Sequence, residues 1–252
     1  MRKKRRRISF LQILLLLVCA FCLGAFCYEM VWMPYENQSQ KEELKERFPG
    51  ETGDPAPEGE SAGKETGVQA VNLSALQALY PDVRGWLTIP GTNIDYPVLQ
   101  SGEENPEFYL RRNYRGEYDI NGSLFLQWNC PAEDGLNRII YGHNMNSGAM
   151  FGNLDRYRDP AFWENHRKVF FQSQNGMEEY EIVSVLNTDI QRFPFTKADF
   201  TDSESLKKYV ELAKSQELFE TGGNVADCHT VLTLVTCAYE WDGARTVVIA
   251  VR

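Results

Sequence analysis

The residues best suited for chemistry in this sequence are Cys237 and Arg245. Cys237 ends the run Thr233-Leu234-Val235-Thr236-Cys237, and Arg245 follows eight residues later. The thiolate is the reactive form of cysteine, and a nearby cation stabilises that form. A thiol at the end of a strand and close to a fixed guanidinium is therefore a candidate nucleophile. The alternatives are that Cys237 packs in the core, as free cysteines often do, and that Arg245 is a surface cation.

The turn between these two residues decides whether they can act together. The segment 229–251 predicts two strands around a turn. If the turn is a two-residue hairpin at Asp242-Gly243, Cys237 and Arg245 lie on opposite faces. If the loop has an odd number of residues and is centred on Trp241, they lie opposite each other on one face. The catalytic interpretation requires the wider loop.

Three histidines are available as proton-transfer partners for a thiol. His143 follows the run Arg138-Ile139-Ile140-Tyr141-Gly142, where a strand gives way to a loop that can open into a cleft. His166 lies in a polar segment and is expected on a solvated face, and His229 suits a packing role before a strand. A lone histidine is more often structural than catalytic, but pairing with Cys237 favours His143.

The N-terminus has the composition of a membrane anchor. Residues 1–7 carry six basic side chains, and the segment 8–28 is an apolar run of 21 residues. About 20 apolar residues cross the hydrocarbon layer as a helix, and the basic flank predicts a cytoplasmic N-terminus with the rest of the chain outside. A cleaved signal peptide is the alternative, but its apolar core is usually shorter. We therefore expect a retained single-pass anchor in the cell membrane.

The part of the chain beyond the anchor is acidic. The net charge is −9, and beyond the basic tail 20 Lys and Arg stand against 35 Asp and Glu. This balance argues against a nucleic-acid partner, which needs a basic surface. Three of the six cysteines lie in the apolar run, and the others, Cys130, Cys228 and Cys237, have no zinc-site spacing. A Cys130–Cys228 disulfide would leave Cys237 free, but the sequence does not establish that pairing.

Turn signals and short β-like runs predict one domain over residues 68–252, preceded by a stalk over 29–67. The stalk combines a charged helix at 38–48 with a flexible spacer at 49–59. The domain has about eight strands, which indicates a closed or nearly closed antiparallel barrel. These runs are Gly85–Ile89, Ile94–Leu99, Ser123–Gln127, Arg138–Tyr141, Val169–Gln172, Glu179–Thr188, Thr230–Cys237 and Arg245–Val251.

Three helices are predicted within this domain. A short N-terminal helix is capped by Asn72 or Ser74 and ends at Tyr80, before Pro81. A brief helix spans 160–168. A longer helix spans 202–219, before the last two strands, with Asp202 or Ser203 as its cap and two glycines beyond its end.

Several of these segments resemble the sortase family, the enzymes that attach surface proteins to Gram-positive cell walls. Thr233–Cys237 matches the TLxTC signature of that family, and Trp86–Val98 looks like the opening of a sortase domain. Residues 141–145 and 150–154 are similar to the surroundings of the sortase catalytic histidine. The helix at 202–219 is similar to the insertion that marks class B sortases. The similarity extends in order from Leu73 to Arg252.

The resemblance implies a cysteine transpeptidase that needs no metal or organic cofactor. Cys237 would attack a carbonyl next to Thr in the sorting signal of a secreted protein and form a thioester. His143 would protonate the departing amine, and Arg245 would hold the substrate, assisted by N–H groups such as that of Ala238. An amine of cell-wall peptide or of another surface protein would then accept the acyl group. Further implied substrate-binding residues are Val235, Thr236, Ala238 and Asn144.

Two positions depart from the class B pattern and leave the substrate open. Val235 stands where many members carry Ser, and Ala238 stands where many carry an acidic residue. Both an Asn-Pro-x-Thr and a Pro-x-Thr-Gly type of sorting signal are therefore compatible with the sequence. Two other functions remain alternatives. One is an extracellular cysteine peptidase of papain type, although its cysteine usually begins a helix, and the other is a non-catalytic wall-associated binding domain.

Overall fold

Eight strands form the framework of the chain, in a computed structural model that describes residues 10–28, 32–50, 67–226 and 228–252. The predicted basic tail at 1–7 and residues 51–59 of the predicted spacer lie outside the described residues. The strands are β1 (Val83–Thr88), β2 (Asp95–Leu99), β3 (Leu124–Leu126), β4 (Asn137–Tyr141), β5 (Lys168–Ser173), β6 (Gly176–Thr188), β7 (Val231–Cys237) and β8 (Arg245–Val251). The helices are α1 (Phe10–Cys27), α2 (Met33–Arg47), α3 (Leu73–Leu79), α4 (Pro160–Asn165) and α5 (Ser203–Lys214), with 3-10 helices at Phe108–Arg111 and Leu154–Arg158.

The strands close into a barrel, as predicted. Their order around it is β1-β2-β3-β4-β7-β8-β6-β5, and β5 pairs with β1 to complete the circle. The sheet is mixed rather than antiparallel throughout, because β2 runs parallel to β3 and β4 runs parallel to β7. Parallel neighbours require long crossover connections, so local turn signals do not reveal them.

Strand β7, which ends at Cys237, and strand β8, which begins at Arg245, are buried on both faces. In β7 and β8 only the terminal residues Cys237 and Arg245 are partly exposed. Side chains alternate between faces along a strand, so continuous burial requires cover on both sides. Helix α5 packs nearby, and its Tyr209 hydroxyl lies 3.3 Å from that of Thr233 in β7. The helix starts after Asp202, whose side chain accepts a hydrogen bond from the Ser205 N–H, as the predicted cap requires.

The second half of α2 packs on the outside of the barrel. Leu44 is 2% exposed and Phe48 is 6% exposed, and both belong to an apolar cluster that includes Leu76 of α3 and Trp86 of β1. The compact unit that contains the barrel accordingly begins at Lys41. Residues assigned to the stalk from composition therefore contribute to the apolar packing of this unit.

An ion pair fixes the same helix at its polar side. The Lys45 ammonium pairs with the Asp95 carboxylate at the start of β2, and both side chains are mostly shielded from solvent. The other carboxylate oxygen of Asp95 accepts hydrogen bonds from Trp86 Nε1 at 2.8 Å and from Thr88 Oγ1 at 3.0 Å. The Asp95 carboxylate thus accepts hydrogen bonds from three side chains, and these bonds offset the cost of shielding its charge from water.

Helix α1 lies in a separate unit that comprises residues 1–40. It is long and apolar enough to cross a membrane, and none of its side chains is buried by the protein. Within the residues that the structure describes, it is the one helix with this property.

Candidate active site

Cys237 and Arg245 are direct partners in the β7–β8 ladder. The loop between them is centred on Trp241, so the wider of the two predicted loops is the one that forms. The loop is closed by hydrogen bonds from the Ala238 N–H to the Ala244 carbonyl at 3.0 Å and from the Ala244 N–H to the Trp241 carbonyl at 3.1 Å. Paired residues of adjacent strands project to the same face. The thiol and the guanidinium therefore share one side of the hairpin.

The parallel pair of β4 and β7 brings His143 to the same end of the barrel. Tyr141 of β4 pairs with Val235 of β7, so the two strands finish side by side. Just beyond, the Gly142 N–H donates to the Val235 carbonyl at 3.3 Å, and the Thr236 hydroxyl donates to the Gly142 carbonyl at 2.8 Å. The backbone that precedes the histidine is thus tied to the strand that carries the thiol.

A backbone carbonyl orients the His143 ring. Its Nε2 lies 2.7 Å from the Leu110 oxygen, and a carbonyl can only accept, so Nε2 carries a hydrogen in this arrangement. Burial lowers the pKa of His143 from its ordinary 6.5; the Leu110 carbonyl opposes this shift and the charge of Arg111 adds to it. The neutral ring is therefore favoured near pH 7, with Nδ1 as its basic nitrogen.

Cys237, His143 and Arg245 line one cleft of about 590 Å³. This volume lies within the range of about 300–1,000 Å³ that is typical of ligand sites. Among the cleft-lining side chains, the Tyr141 hydroxyl donates to Gln127 Oε1 at 2.7 Å, which fixes both. The remaining wall is formed by Pro106, Glu107, Leu110, Phe125, Trp128, Gly142, Phe195, Thr196, Val235 and Thr236.

The four other residues predicted at the site fall into two groups. Val235 and Thr236 line the cleft. The Ala238 N–H is used in the loop between β7 and β8, where it donates to the Ala244 carbonyl, and this differs from the expected role on a substrate oxygen. The Asn144 side chain donates to the carbonyl of Cys237 at 2.8 Å, so it contacts the backbone of the candidate nucleophile.

Sequence reasoning missed a polar network behind the cleft. Asn144 Nδ2 also donates to Asp155 at 2.6 Å, and the other oxygen of Asp155 accepts from the Thr246 hydroxyl. Arg158 donates to Thr246 Oγ1 at 2.8 Å and forms an ion pair with Glu240. Asp155 and Arg158 occupy a polar segment of unremarkable composition, and no local signal distinguishes them from surface charges.

The other two cysteines of the barrel unit are buried free thiols. Cys130 and Cys228 are each about 1% exposed and are not joined to each other. Burial raises the pKa of both thiols to about 11, so both are protonated at neutral pH and react slowly. Cys237 differs from them because part of its surface is accessible from the cleft.

The barrel part of the chain matches a known protein family. Residues 87–252 match the family model of the sortase domain. Sortase B of Listeria monocytogenes is 36% identical over 171 residues, which cover 68% of this chain and 68% of that protein.

Solved structures show the same fold. Sortase B from B. anthracis in complex with AAEK1 superposes with a TM-score of 0.69 at 28% identity, over 88% of this chain and 98% of that one. The Staphylococcus aureus sortase B–substrate complex superposes with a TM-score of 0.64 at 25% identity, over 71% and 83% of the two chains. The chain therefore belongs to the sortase family and is a sortase B-like cysteine transpeptidase.

Proposed function

We propose that Cys237, His143 and Arg245 carry out the transfer. The observation that supports this most is that all three line one cleft while Cys237 and Arg245 are paired across two strands. A thiol, an imidazole and a fixed cation on one cavity wall are the groups that acyl transfer through a thioester requires.

The first half of the reaction forms the thioester. The Cys237 thiol first gives its proton to Nδ1 of the neutral His143 ring, which produces a thiolate and an imidazolium. The thiolate attacks the backbone carbonyl carbon next to the Thr side chain of the sorting signal, and a C–S bond forms. The peptide C–N bond then breaks, and the leaving amine takes a proton from the His143 imidazolium. Arg245 donates hydrogen bonds to the carbonyl oxygen while negative charge develops there.

The second half transfers the acyl group. An incoming primary amine gives a proton to His143 and attacks the thioester carbon, and the C–S bond breaks to regenerate the Cys237 thiolate. A sortase B structure has been solved in complex with triglycine, which supports a peptide amine as the acceptor. We propose an amine of cell-wall peptide or of another surface protein in that role.

The substrate is a secreted protein with a C-terminal sorting signal. The S. aureus sortase B–substrate complex supports a similar binding mode here. Val235 is a cleft-lining residue without a polar side chain, so the hydroxyl that many class B members place there has no equivalent. The choice between an Asn-Pro-x-Thr and a Pro-x-Thr-Gly type of signal is therefore an outcome of the experiment below.

We also propose that the protein is a single-pass membrane enzyme. In this arrangement residues 1–7 remain in the cytoplasm, 8–28 form a retained anchor, 29–67 form a stalk in which Leu44 and Phe48 pack on the barrel, and the catalytic domain lies outside. The helix Phe10–Cys27, which is apolar enough to span a membrane, supports the anchor. The basic flank supports the orientation.

The test uses full-length protein in detergent with a panel of Thr-containing sorting peptides, with and without triglycine. Peptide mapping by mass spectrometry follows each cysteine. The expected result is a thioester on Cys237 that triglycine converts into a new amide, with no adduct in Cys237→Ala and a normal reaction in Cys228→Ala. Release of free acid at equal rates with and without triglycine would indicate a peptidase. The absence of any adduct across the panel would favour a binding domain and overturn the proposal.

A further inference from the structure

A polar network described above, which we name the Asn144–Asp155 network, contacts the backbone of Cys237 and includes the residues that directly follow His143 and Arg245. Its members are Asn144, Asp155, Thr246, Arg158 and Glu240. Asn144 directly follows His143, Thr246 directly follows Arg245, and the carbonyl that Asn144 contacts belongs to Cys237. One network therefore holds the Cys237 carbonyl and the side chains of the residues next to His143 and Arg245.

Both side-chain N–H donors of Asn144 are used by protein acceptors. Its amide nitrogen donates to the Cys237 carbonyl at 2.8 Å and to Asp155 at 2.6 Å. A carboxamide has two N–H hydrogens, and these two bonds use both. The side-chain donors of Asn144 are thus not available to a substrate, and they hold the loop after β4 against the end of β7.

Asp155 is held at the centre of the network from several directions. Its second oxygen accepts from the hydroxyl of Thr246, a side chain that is fully buried. Arg158 lies 3.5 Å from the same carboxylate and also donates to Thr246. The 3-10 helix that carries both residues is anchored by Leu154 and Tyr157, each completely buried. The Asp155 carboxylate is therefore held in place relative to β8, through Thr246, and to the end of β7, through Asn144.

We infer that Asn144 and Asp155 are positioning residues, which set the relative placement of His143, Cys237 and Arg245. The inference rests on the proposed function, because it assigns no role unless those three groups react. Effective acyl transfer requires reacting groups to be held close to the attack geometry, and a displacement of about 1 Å can cost about 100-fold in rate. The sequence-based expectation that Asn144 binds substrate makes a different prediction.

Asn144→Ala separates the two roles by kinetics. In full-length protein in detergent, with the sorting peptide that labels Cys237 and with triglycine, a positioning role predicts a fall of about 10- to 100-fold in kcat with KM changed less than about twofold. A substrate-binding role predicts a raised KM with kcat unchanged. Either the second pattern or wild-type kinetics would overturn the inference.

Asp155→Asn provides a second variant of the same size, which tests the network if Asn144→Ala folds poorly. Its amide can accept a hydrogen bond from Asn144 or Thr246 but not from both, so kcat should again fall with KM retained. Because the two residues act through one contact, the double variant should be no slower than about the slower single variant. Multiplication of the two losses would show that the residues act independently and would overturn the network.

Asn153→Ala is the matched control. Asn153 lies in the same loop, two residues before Asp155, and its side chain does not cap the 3-10 helix. It should retain wild-type kcat, and an equal loss there would assign the effect to the loop in general and overturn the inference. If wild-type protein forms no thioester, both the proposed function and this inference fail. If wild type reacts and both network variants react equally fast, only the inference fails.

Discussion

Cys237 and Arg245 face each other at the point where β7 and β8 separate into a loop. Side chains alternate along both strands, so a register shift of one residue would place the guanidinium on the opposite face. The seven-residue loop is held by the hydrogen bonds from the Ala238 N–H to the Ala244 carbonyl and from the Ala244 N–H to the Trp241 carbonyl. The loop length therefore determines that the cation and the thiol open into the same cleft.

Arg245→Lys tests whether the planar guanidinium is required in addition to its charge. Lys keeps the charge but offers a single donor group without the fixed fork of Arg, so kcat for transfer should fall at least about 100-fold, as for loss of an oxyanion donor. Arg84→Lys, in an exposed position of β1, is the control and should be unaffected. Near-normal transfer by Arg245→Lys would show that charge alone suffices.

His143 should make stability depend on pH. Burial lowers its pKa in the folded protein below 6.5, so the unfolded chain binds a proton more readily in the window between the two values. The contribution of His143 to the free energy of unfolding is complete above pH 6.5, and it is lost as the pH falls toward the pKa of His143 in the folded protein. The free energy of unfolding should thus fall less in His143→Gln than in wild type when urea unfolding at about pH 7.5 and about pH 5.5 is compared.

The control for that experiment is His229→Gln, which removes a histidine from the loop before β7. If His143→Gln and wild type lose the same free energy of unfolding between the two pH values, burial does not lower the pKa of His143 in solution. A direct measurement of the His143 pKa by NMR, identified from the signal missing in His143→Gln, should also give a value below 6.5.

Leu44→Ala should destabilise the barrel unit although Leu44 precedes the predicted domain. Leu44 is 2% exposed and packs against the outer cluster of the barrel. Truncation of a buried leucine costs about 2–5 kcal/mol of unfolding free energy, measurable by urea unfolding with tryptophan fluorescence. Glu46→Ala, at an exposed position of the same helix, should change stability by less than about 0.5 kcal/mol. Equal stability of both variants would mean that this segment does not pack in solution.

Gly142→Ala should reduce transfer because no side chain fits before His143. A Cβ at this position would lie 2.8 Å from Phe151 Cδ2 and closer still to Leu124 Cδ2. The loop must move, at a cost of about 1–3 kcal/mol, and the histidine moves with it. We expect kcat to fall by more than the loss of folded protein, measured by urea unfolding, can explain. Gly102→Ala, whose nearest neighbour is the flexible carboxylate of Glu104 at 3.3 Å, should retain both activity and stability.

Local patterns were sufficient to predict the elements that carry the site. The strands that end at Cys237 and begin at Arg245 have the predicted bounds at those residues, because turn residues and apolar runs mark them. The cap at Asp202 was also predictable, since a side-chain oxygen before an amphipathic helix satisfies free N–H groups. These features depend on near neighbours in the chain.

Other features depend on contacts between distant segments and have no local signature. The parallel pairing of β4 with β7 joins strands about 90 residues apart, and Asn144 meets the Cys237 carbonyl across 93 residues. Leu44 in α2 and Phe48 just beyond its end pack inward from a segment rich in charged residues, so composition indicated a stalk. The Ala238 N–H is used in loop closure, which depends on a loop length that the sequence left open.

The parallel neighbours β4 and β7 make catalytic competence a late event in folding. Until these two strands meet, the imidazole and the thiol belong to separate regions of an open chain, and Cys237 is an ordinary, isolated thiol. Contacts of such long sequence separation form slowly because the intervening chain must first be ordered. Recovery of transfer activity during refolding therefore cannot precede the pairing of β4 with β7, and the unfolded chain has no assembled site with which to modify other proteins.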